Sequence, residues 1–378
     1  MSTIINARSP YYIKTQATGQ IDGLVTYSIY IYDKILTTDK PTTPTYVITK
    51  LPFDTGLTYS VIEISELVRD YLYTKYYTEA VDAVWVEITA TYEDNTTPIT
   101  TNYTFLAFDG FGFFNEGINP RESTDPTQSS YTPMVLQDNV TVYFVKGEDI
   151  RIPLFSEPQP NVVTTIGSGV WNEVELYWEN AQITWDATSV PQTIVDSNDT
   201  REKIQYLIIE SDYVADGDKI TITSTTGNAQ QTIITLRELC DPKYTPVRII
   251  FYNKYGALQD IYANKKHKIS MKIKDETYKA NTIDIPNFLY SINDPMMQRF
   301  HVEANESIEV NTDFYVEELN NPIKQMLVSE NIWLEIDGDI IPVLIKETSF
   351  NEKTHVNDKL IQYSFKFDYA FDYIQNVR

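Results

Sequence analysis

The chain has 378 residues, with 53 Asp or Glu against 30 Lys or Arg, a formal net charge of −23. A protein that wraps a duplex needs a basic surface, so this balance excludes generic nucleic-acid binding. The single cysteine, Cys240, excludes an internal disulfide and a thiolate metal cluster. No stretch reaches the length of an apolar membrane span. The start, Met1 to Arg8, lacks the apolar core of a secretory signal, so the expected compartment is a cytoplasm. Without export, triplets such as Asn139-Val-Thr141 read as β-protein composition, not glycosylation sites. The length predicts two or three domains. The 28 Tyr, 16 Phe and 5 Trp favour strands and contact surfaces.

Residues 1–119 read as a first domain. Val25 to Tyr32 alternates like a strand, Pro41 and Pro44 interrupt, and Tyr46 to Lys50 resumes. Ser65 is the expected cap of a helix to Leu72, with Leu67, Val68, Tyr71 and Leu72 on one face. Val84 to Ala90 and Asn102 to Phe108 read as an antiparallel pair, and Gly110, Gly112 and Gly117 mark a boundary. Residues 120–138, with Pro120, Pro126 and Pro133, are a linker or an extended arm. Residues 139–239 read as an immunoglobulin- or fibronectin-like sandwich, with strands at 140–145, 173–178, 203–209, 219–223 and 231–235. Asp216-Gly217 is a turn there, and 162–170 and 186–200 are expected loops.

Residues 240–378 form the last expected domain. Val247 to Tyr252 and Leu258 to Tyr262 are strands about a turn at Asn253 to Ala257. The basic run Lys265, Lys266, His267, Lys268 precedes a strand at Ser270 to Lys274, and Ser307 to Val310 is another. Val316, Leu319, Ile323, Met326 and Leu327 recur at helical spacing. Pro322 fits only in that helix's first turn, with Asn320 or Asn321 as cap and Val316 and Leu319 in the lead-in. Trp333 to Ile336 is then a strand and Asp337-Gly338 a two-residue hairpin. Tyr363, Phe365 and Phe367 alternate as on a half-buried strand. A faint echo links helix, Trp85-Val-Glu-Ile88 and Tyr103-Thr-Phe105 with helix, Trp333-Leu-Glu-Ile336 and Tyr363-Ser-Phe365. Sheet physics alone repeats such patterns.

Chemistry is sparse. His267, His301 and His355 sit in separate segments, without the partners of a zinc site. No nucleophile elbow, Walker loop or dinucleotide fingerprint is present. With 53 acidic residues a close carboxylate pair carries no message about glycoside hydrolysis. The Asp216-Gly-Asp218 and Asp337-Gly-Asp339 triplets lack the further oxygen ligands of a calcium loop and read as hairpin turns. The reading is no catalytic residue, no metal and no cofactor. Candidate interface residues are Tyr255, Lys265, Lys266, Lys268, Trp178 and Trp185. The lysines, with His267, have three readings: a phosphate contact or, favoured on so acidic a chain, an acidic face of a neighbouring subunit or the blunting of a strand edge.

Several motifs resemble virion tail proteins of bacteriophages, especially those infecting Bacteroidetes. They are Tyr244-Thr-Pro246, Ile250 to Ala257, Val310 to Asp313, Val316-Glu-Glu318, Leu327 to Glu330 with Trp333, Ile341-Pro-Val343, and Asn357 to Leu360 followed by Tyr363. Arg8 to Tyr11 and Glu63 to Leu67 are similar to the same group. The resemblance touches both ends and about half of the chain. It implies a tail, hub, baseplate or connector-ring component of the virion, assembled in the host cytoplasm, with no catalytic residues.

The expectation is therefore a mainly β, multi-domain protein of antiparallel sandwiches or barrels, with one or two short helices packed on sheets. Its expected role is structural, in a ring of copies around a DNA path, next to other tail or neck proteins and without membrane contact. Acidic side chains on the lumen would let DNA glide. The alternatives are a receptor- or carbohydrate-binding tail adhesin, resting on Trp178 and Trp185, and a tail-borne glycan hydrolase.

Overall fold

The computed structural model describes residues 3–32, 40–52, 58–72, 83–117, 119, 134–155, 162–167, 175–176, 192–195, 204–224, 231–239, 243–284, 286–346, 351 and 360–374. Trp178, Trp185, His355, Cys240 and residues 120–133 of the expected arm at 120–138 lie outside them. The protein is mainly β, with two short α-helices among the described residues. Contacts divide it into two compact units. The first is Met1–Cys240 with Phe251–Ile261 and Asn321–Ser329; the second is Asp241–Ile250, Tyr262–Asn320 and Glu330–Arg378. The first stretch of the first unit ends at Cys240. Two later segments are packed among residues of the first 240, for reasons given below.

The first unit opens with β1 (Thr3–Asn6), β2 (Tyr12–Gln16), β3 (Ile21–Tyr32), β4 (Tyr46–Lys50), β5 (Tyr59–Glu63), α1 (Ser65–Leu72), β6 (Val84–Asp94) and β7 (Thr97–Phe108). A five-stranded sheet runs β1-β7-β6-β3-β4, and β2 pairs β5 separately. The inward residues Tyr27, Ile29, Val86, Ile88 and Phe105 share one core with Ile13, Ile62, Val68 and Leu72. Strands β3, β6 and β7 exceed their predicted lengths. A bulge between Asp22 and Thr26 lets β3 start early, and Asn95-Thr96, both at positive φ, close the hairpin tightly.

Helix α1 has its predicted span but another cap. The Ile64 carbonyl accepts the first helical bond, from Val68 N–H at 3.2 Å, so Ser65 already lies inside the helix. The Glu63 carboxylate takes the Ser65 N–H at 2.7 Å, the Ser65 hydroxyl and the Tyr11 N–H at 3.2 Å. The helix buries Val68 and Leu72, and Tyr71 stays exposed.

Two further sheets follow. They comprise β8 (Met134–Val135), β9 (Thr141–Phe144), β10 (Asp149–Phe155), β11 (Val162–Gly167), β12 (Glu175–Leu176), β13 (Gln192–Val195), β14 (Gln205–Glu210), β15 (Lys219–Ser224) and β16 (Gln231–Glu238). One sheet runs β13-β14-β10-β8 and the other β12-β11-β15-β16-β9. Ile150, Ile152, Leu207 and Ile209 of the first meet Phe144, Ile220, Ile222 and Ile234 of the second in one core, which makes a β-sandwich. Two of its strands contradict the loop reading, and a third, β10, falls where no strand was expected. β11 pairs all along β15, and β13 along β14, where the sequence suggested loops. β10 carries Pro153, and proline demotes a strand signal. The end of the expected arm pairs within the unit, Val135 opposite Leu154.

Strands β17 (Val247–Tyr252) and β18 (Leu258–Ala263) flank the turn that draws later chain into the first unit. Asn253, fully buried, makes all the bonds an amide can make. Its Oδ1 accepts from Tyr255 N–H at 3.0 Å and Ala257 N–H at 3.1 Å. Its Nδ2 donates to the Leu136 carbonyl at 2.7 Å and Gln259 Oε1 at 3.1 Å. Gln259 in turn donates to Asn139 Oδ1 at 2.7 Å. Arg151 on β10 grips Asp260 through two bonds, of 3.2 and 2.7 Å, both groups nearly buried. Arg8 grips Asp109 in the same way, at 3.1 Å twice. Tyr206 accepts the Leu258 N–H at 2.9 Å, and burial raises its phenol well above the ordinary value.

The second unit contains β19 (Lys265–Lys279), β20 (Ile283–Asp284), β21 (Leu289–Tyr290), β22 (Met297–Asn311), β23 (Tyr315–Val316), α2 (Asn320–Val328, mostly counted with the first unit), β24 (Ile332–Ile336), β25 (Asp339–Ile345), β26 (Leu360–Ile361) and β27 (Ser364–Tyr369). Five strands run β24-β25-β27-β22-β19. Asp337-Gly338, both at positive φ, form the expected hairpin, and Phe365 and Phe367 are buried as their alternation requires. Pro322 lies in the first turn of α2, after a 3₁₀ lead-in at Glu317–Leu319. The echo fails in detail. β7 is the hairpin partner of β6, but the partner of β24 is β25, and Tyr363-Ser-Phe365 leads into β27.

Gly256 sits at φ +76, and a Cβ there would lie 2.7 Å from the Asp109 carbonyl carbon. Gly147 has a similar φ, +85, and open space. Gly147→Ala should cost on the order of 1–2 kcal/mol from the left-handed backbone alone. Gly256→Ala should cost roughly 3 kcal/mol or more, because backbone must also move. Urea unfolding of the two variants beside the parent chain checks the difference, and equal midpoints would refute the packing argument.

Candidate assembly surface

The long strands β19 and β22 build a two-stranded ribbon, each strand 15 residues, with β19 at the sheet edge. Such strands span about 50 Å at the usual rise. Pairing runs from Lys265 opposite Asn311 to Lys279 opposite Met297. Strand β27 accompanies β22 only along Ser307–Asn311, so the rest of the ribbon stands without a third strand among the described residues. The sequence suggested a short strand at 270–274. The longer one continues the ladder through polar sequence, with Lys268 opposite Glu309 and Lys274 opposite Glu303.

Directly opposed residues share a side of a ladder. Near the base, Ile269 faces Ile308, which faces Phe367 on the next strand. Ile308 and Phe367 are buried, whereas Ile269 is 55% exposed. Met271 and Ile273 continue the open row. Lys268, Lys272 and Lys274 occupy the other side. A bulge between the pairs Lys274/Glu303 and Glu276/Phe300, with His301 at φ +51, inserts one extra residue in β22. Beyond it the pattern changes sides. Tyr278 and Phe300 pack edge to face at 5.7 Å, while Arg299 and Asp275 pair at 2.7 Å on the side that held the isoleucines. The tip exposes Phe288 (84%), Tyr290 (73%) and Ile292 (93%), and carries no Lys or Arg from Ala280 to Gln298. Isolated two-stranded ribbons are marginal in water, and contiguous apolar exposure marks an interaction site.

The ribbon is anchored at Asp313. Its carboxylate takes the Lys265 ammonium at 2.8 Å, the Asn264 amide at 3.2 Å and the Phe314 N–H at 2.8 Å. Burial pushes this carboxyl up, but the three donors outweigh it and hold it below the ordinary aspartate value. Tyr315 donates to the Tyr262 carbonyl beside them.

The predicted interface residues separate. Lys265, Lys266 and Lys268 lie together at the base of β19, Lys266 and Lys268 exposed. Tyr255 is turned inward in the first unit, 8% exposed, with its hydroxyl on Asp138 at 2.6 Å, so it is no surface aromatic. Gln325 of α2 donates to the same carboxylate at 2.5 Å and accepts the Lys254 N–H at 3.0 Å. Sequence reading missed Gln325, Asp138 and the open row at Ile269, Met271 and Ile273. An alternating run promises one buried side, and nothing in it says that the cover is not supplied by the chain's own fold. His267 and His301 lie on the two ribbon strands, and among the described residues no group of three or more His, Cys, Asp or Glu could hold a metal ion. Asp218 caps its own turn through Ala215 N–H at 2.8 Å.

No family model matches the sequence, and no curated protein matches it. Among solved structures, the I-band fragment I67–I69 of titin is 9% identical, covers 82% of this chain and 91% of its own, and gives a TM-score of 0.19. The titin immunoglobulin tandem A164–A165 is 12% identical over 63% of this chain and 92% of its own, with a TM-score of 0.22. A complex of Dpr2 Ig1–Ig2 with DIP-Theta Ig1–Ig3 is 10% identical over 64% and 95%, with a TM-score of 0.20. Whole chains do not superimpose at such scores, and the mainly β class rests on the strands themselves.

A carboxyl held low in the folded chain adds stability above its unfolded pKa, about 3.9. That stability disappears as pH falls through the lower folded value. The parent chain should therefore be more stable than Asp313→Asn at pH 5 and above, and the gap should narrow below about pH 4. Denaturant titrations of both chains across this range check it, and a gap that does not change with pH would remove the anchor.

Proposed function

We propose that this chain is a non-enzymatic structural component of a bacteriophage tail, of the hub, baseplate or head–tail connector-ring kind, built by contacts between subunits around the DNA path. The observation that carries the assembly part of this reading is the ribbon: an extended, half-apolar element with an open edge, suited to another polypeptide and to no small substrate. The tail part rests on the resemblance in the sequence. Its motifs fall on framework positions. Tyr11 N–H meets Glu63, joining two of them, and Asn253 and Gly256 of a third form the buried turn. Thr312 of a fourth takes the Tyr363 N–H at 2.9 Å.

The charge supports the same role. A surface of net charge −23 repels nucleic acid, as a conduit for DNA must. Mass spectrometry of purified virions from the parent phage should find the chain in stoichiometric amounts with the other tail proteins. Its absence from intact particles would end this reading.

A further inference from the structure

The open edge of β19 selects its partner by charge. Of the 30 basic and 53 acidic residues of the chain, this one strand holds six lysines and two acids. The rest of the chain is correspondingly more acidic, so the surface of another copy complements the strand in charge.

The same edge also selects the symmetry. A two-fold contact in which this edge meets its own copy would lay two β19 edges antiparallel against each other. Centred on Met271, that pairing sets Ile269 opposite Ile273 and keeps the apolar row together, but it sets Lys268 opposite Lys274. Centred on Ser270, it sets Lys268 opposite Lys272 and Lys266 opposite Lys274. Slipping by one residue relieves the lysines and drives Ile269 against Lys272 and Ile273 against Lys268. Every two-fold register near the middle of the strand thus loses either through like charges or through a charge on the apolar row.

We propose that the β19 edge docks on a different, acidic surface of a second copy, so that copies join head to tail rather than as two-fold dimers. Head-to-tail contacts continue until a ring closes or a filament grows. The part of the functional reading this rests on is only that copies meet; it does not require a virion.

Mass photometry and sedimentation of the full chain across a dilution series, at low and high salt, test it. The parent chain should form species larger than a dimer, weakened by salt. The double variant Lys266→Glu/Lys272→Glu, which spares the Lys268 and Lys274 positions facing Glu309 and Glu303, should associate about tenfold or more weakly. Ile273→Lys should do the same through the apolar row, and unchanged circular dichroism and melting of both variants separate lost docking from lost folding. A parent chain that stays monomeric, one that stops at a dimer, or folded variants that assemble like the parent would each overturn the proposal. Assembly in solution by a chain missing from virions would remove the tail reading and leave this one. Normal incorporation of Lys266→Glu/Lys272→Glu into particles would do the reverse.

Discussion

The side-chain amide of Asn253 is the interaction on which the first unit depends. It is buried with every donor and acceptor used, two bonds closing its own turn and two reaching Leu136 and Gln259. A buried polar group left unpaired costs about 1–3 kcal/mol, so a network of this kind is either complete or destabilising. Here it is complete, and completeness fixes position. The turn can sit in only one place relative to Leu136, Asn139 and Asp109, and Gly256 lets its backbone come close enough to do so. Arg8 with Asp109 and Arg151 with Asp260 then tie the opening sheet and the sandwich to the same region.

The ribbon follows the opposite rule. Around Asn253 the first unit satisfies its buried amides from within. The β19–β22 ribbon is firm only at its base, where Lys265, Asn264 and Phe314 converge on Asp313. Farther out it has cross-strand pairs and one aromatic contact, but an apolar row that its own chain leaves in water. The bulge at His301 divides this exposure between two sides of the ladder. One molecule thus combines a body tied by buried side-chain bonds with a ribbon that leaves an apolar row exposed.

Much of this was legible from residues alone, where local physics and tertiary context agree. Asp337-Gly338 had to be a tight turn, Pro322 had to enter the first turn of a helix, and Phe365 and Phe367 had to face a core. The misses share a cause. Strands β11 and β13 carry β-branched runs of their own, Val162 to Ile166 and Thr193 to Val195, but each is too short to stand out until β15 and β14 pair with it. Glu63 replaced Ser65 as the cap because Tyr11, more than fifty positions away, also needed its carboxylate. At the assembly surface the lysines were visible as a basic run, and the ribbon was not, because its length depends on β22 lying in register across a tip rich in apolar residues. Tyr255 was misjudged for a similar reason: an aromatic in a turn reads as exposed until Asp138 is brought to meet it.

The interleaving of the first unit also bears on how the molecule is made. A ribosome delivers the chain from its N-terminus, and domains generally fold as they emerge. This unit needs Phe251–Ile261 and Asn321–Ser329. Until those residues leave the exit tunnel, Leu136, Asp138 and Arg151 lack the partners that hold them. The last of those segments follows residues 265–311 in the chain, so the first unit is complete only after the ribbon has also been made.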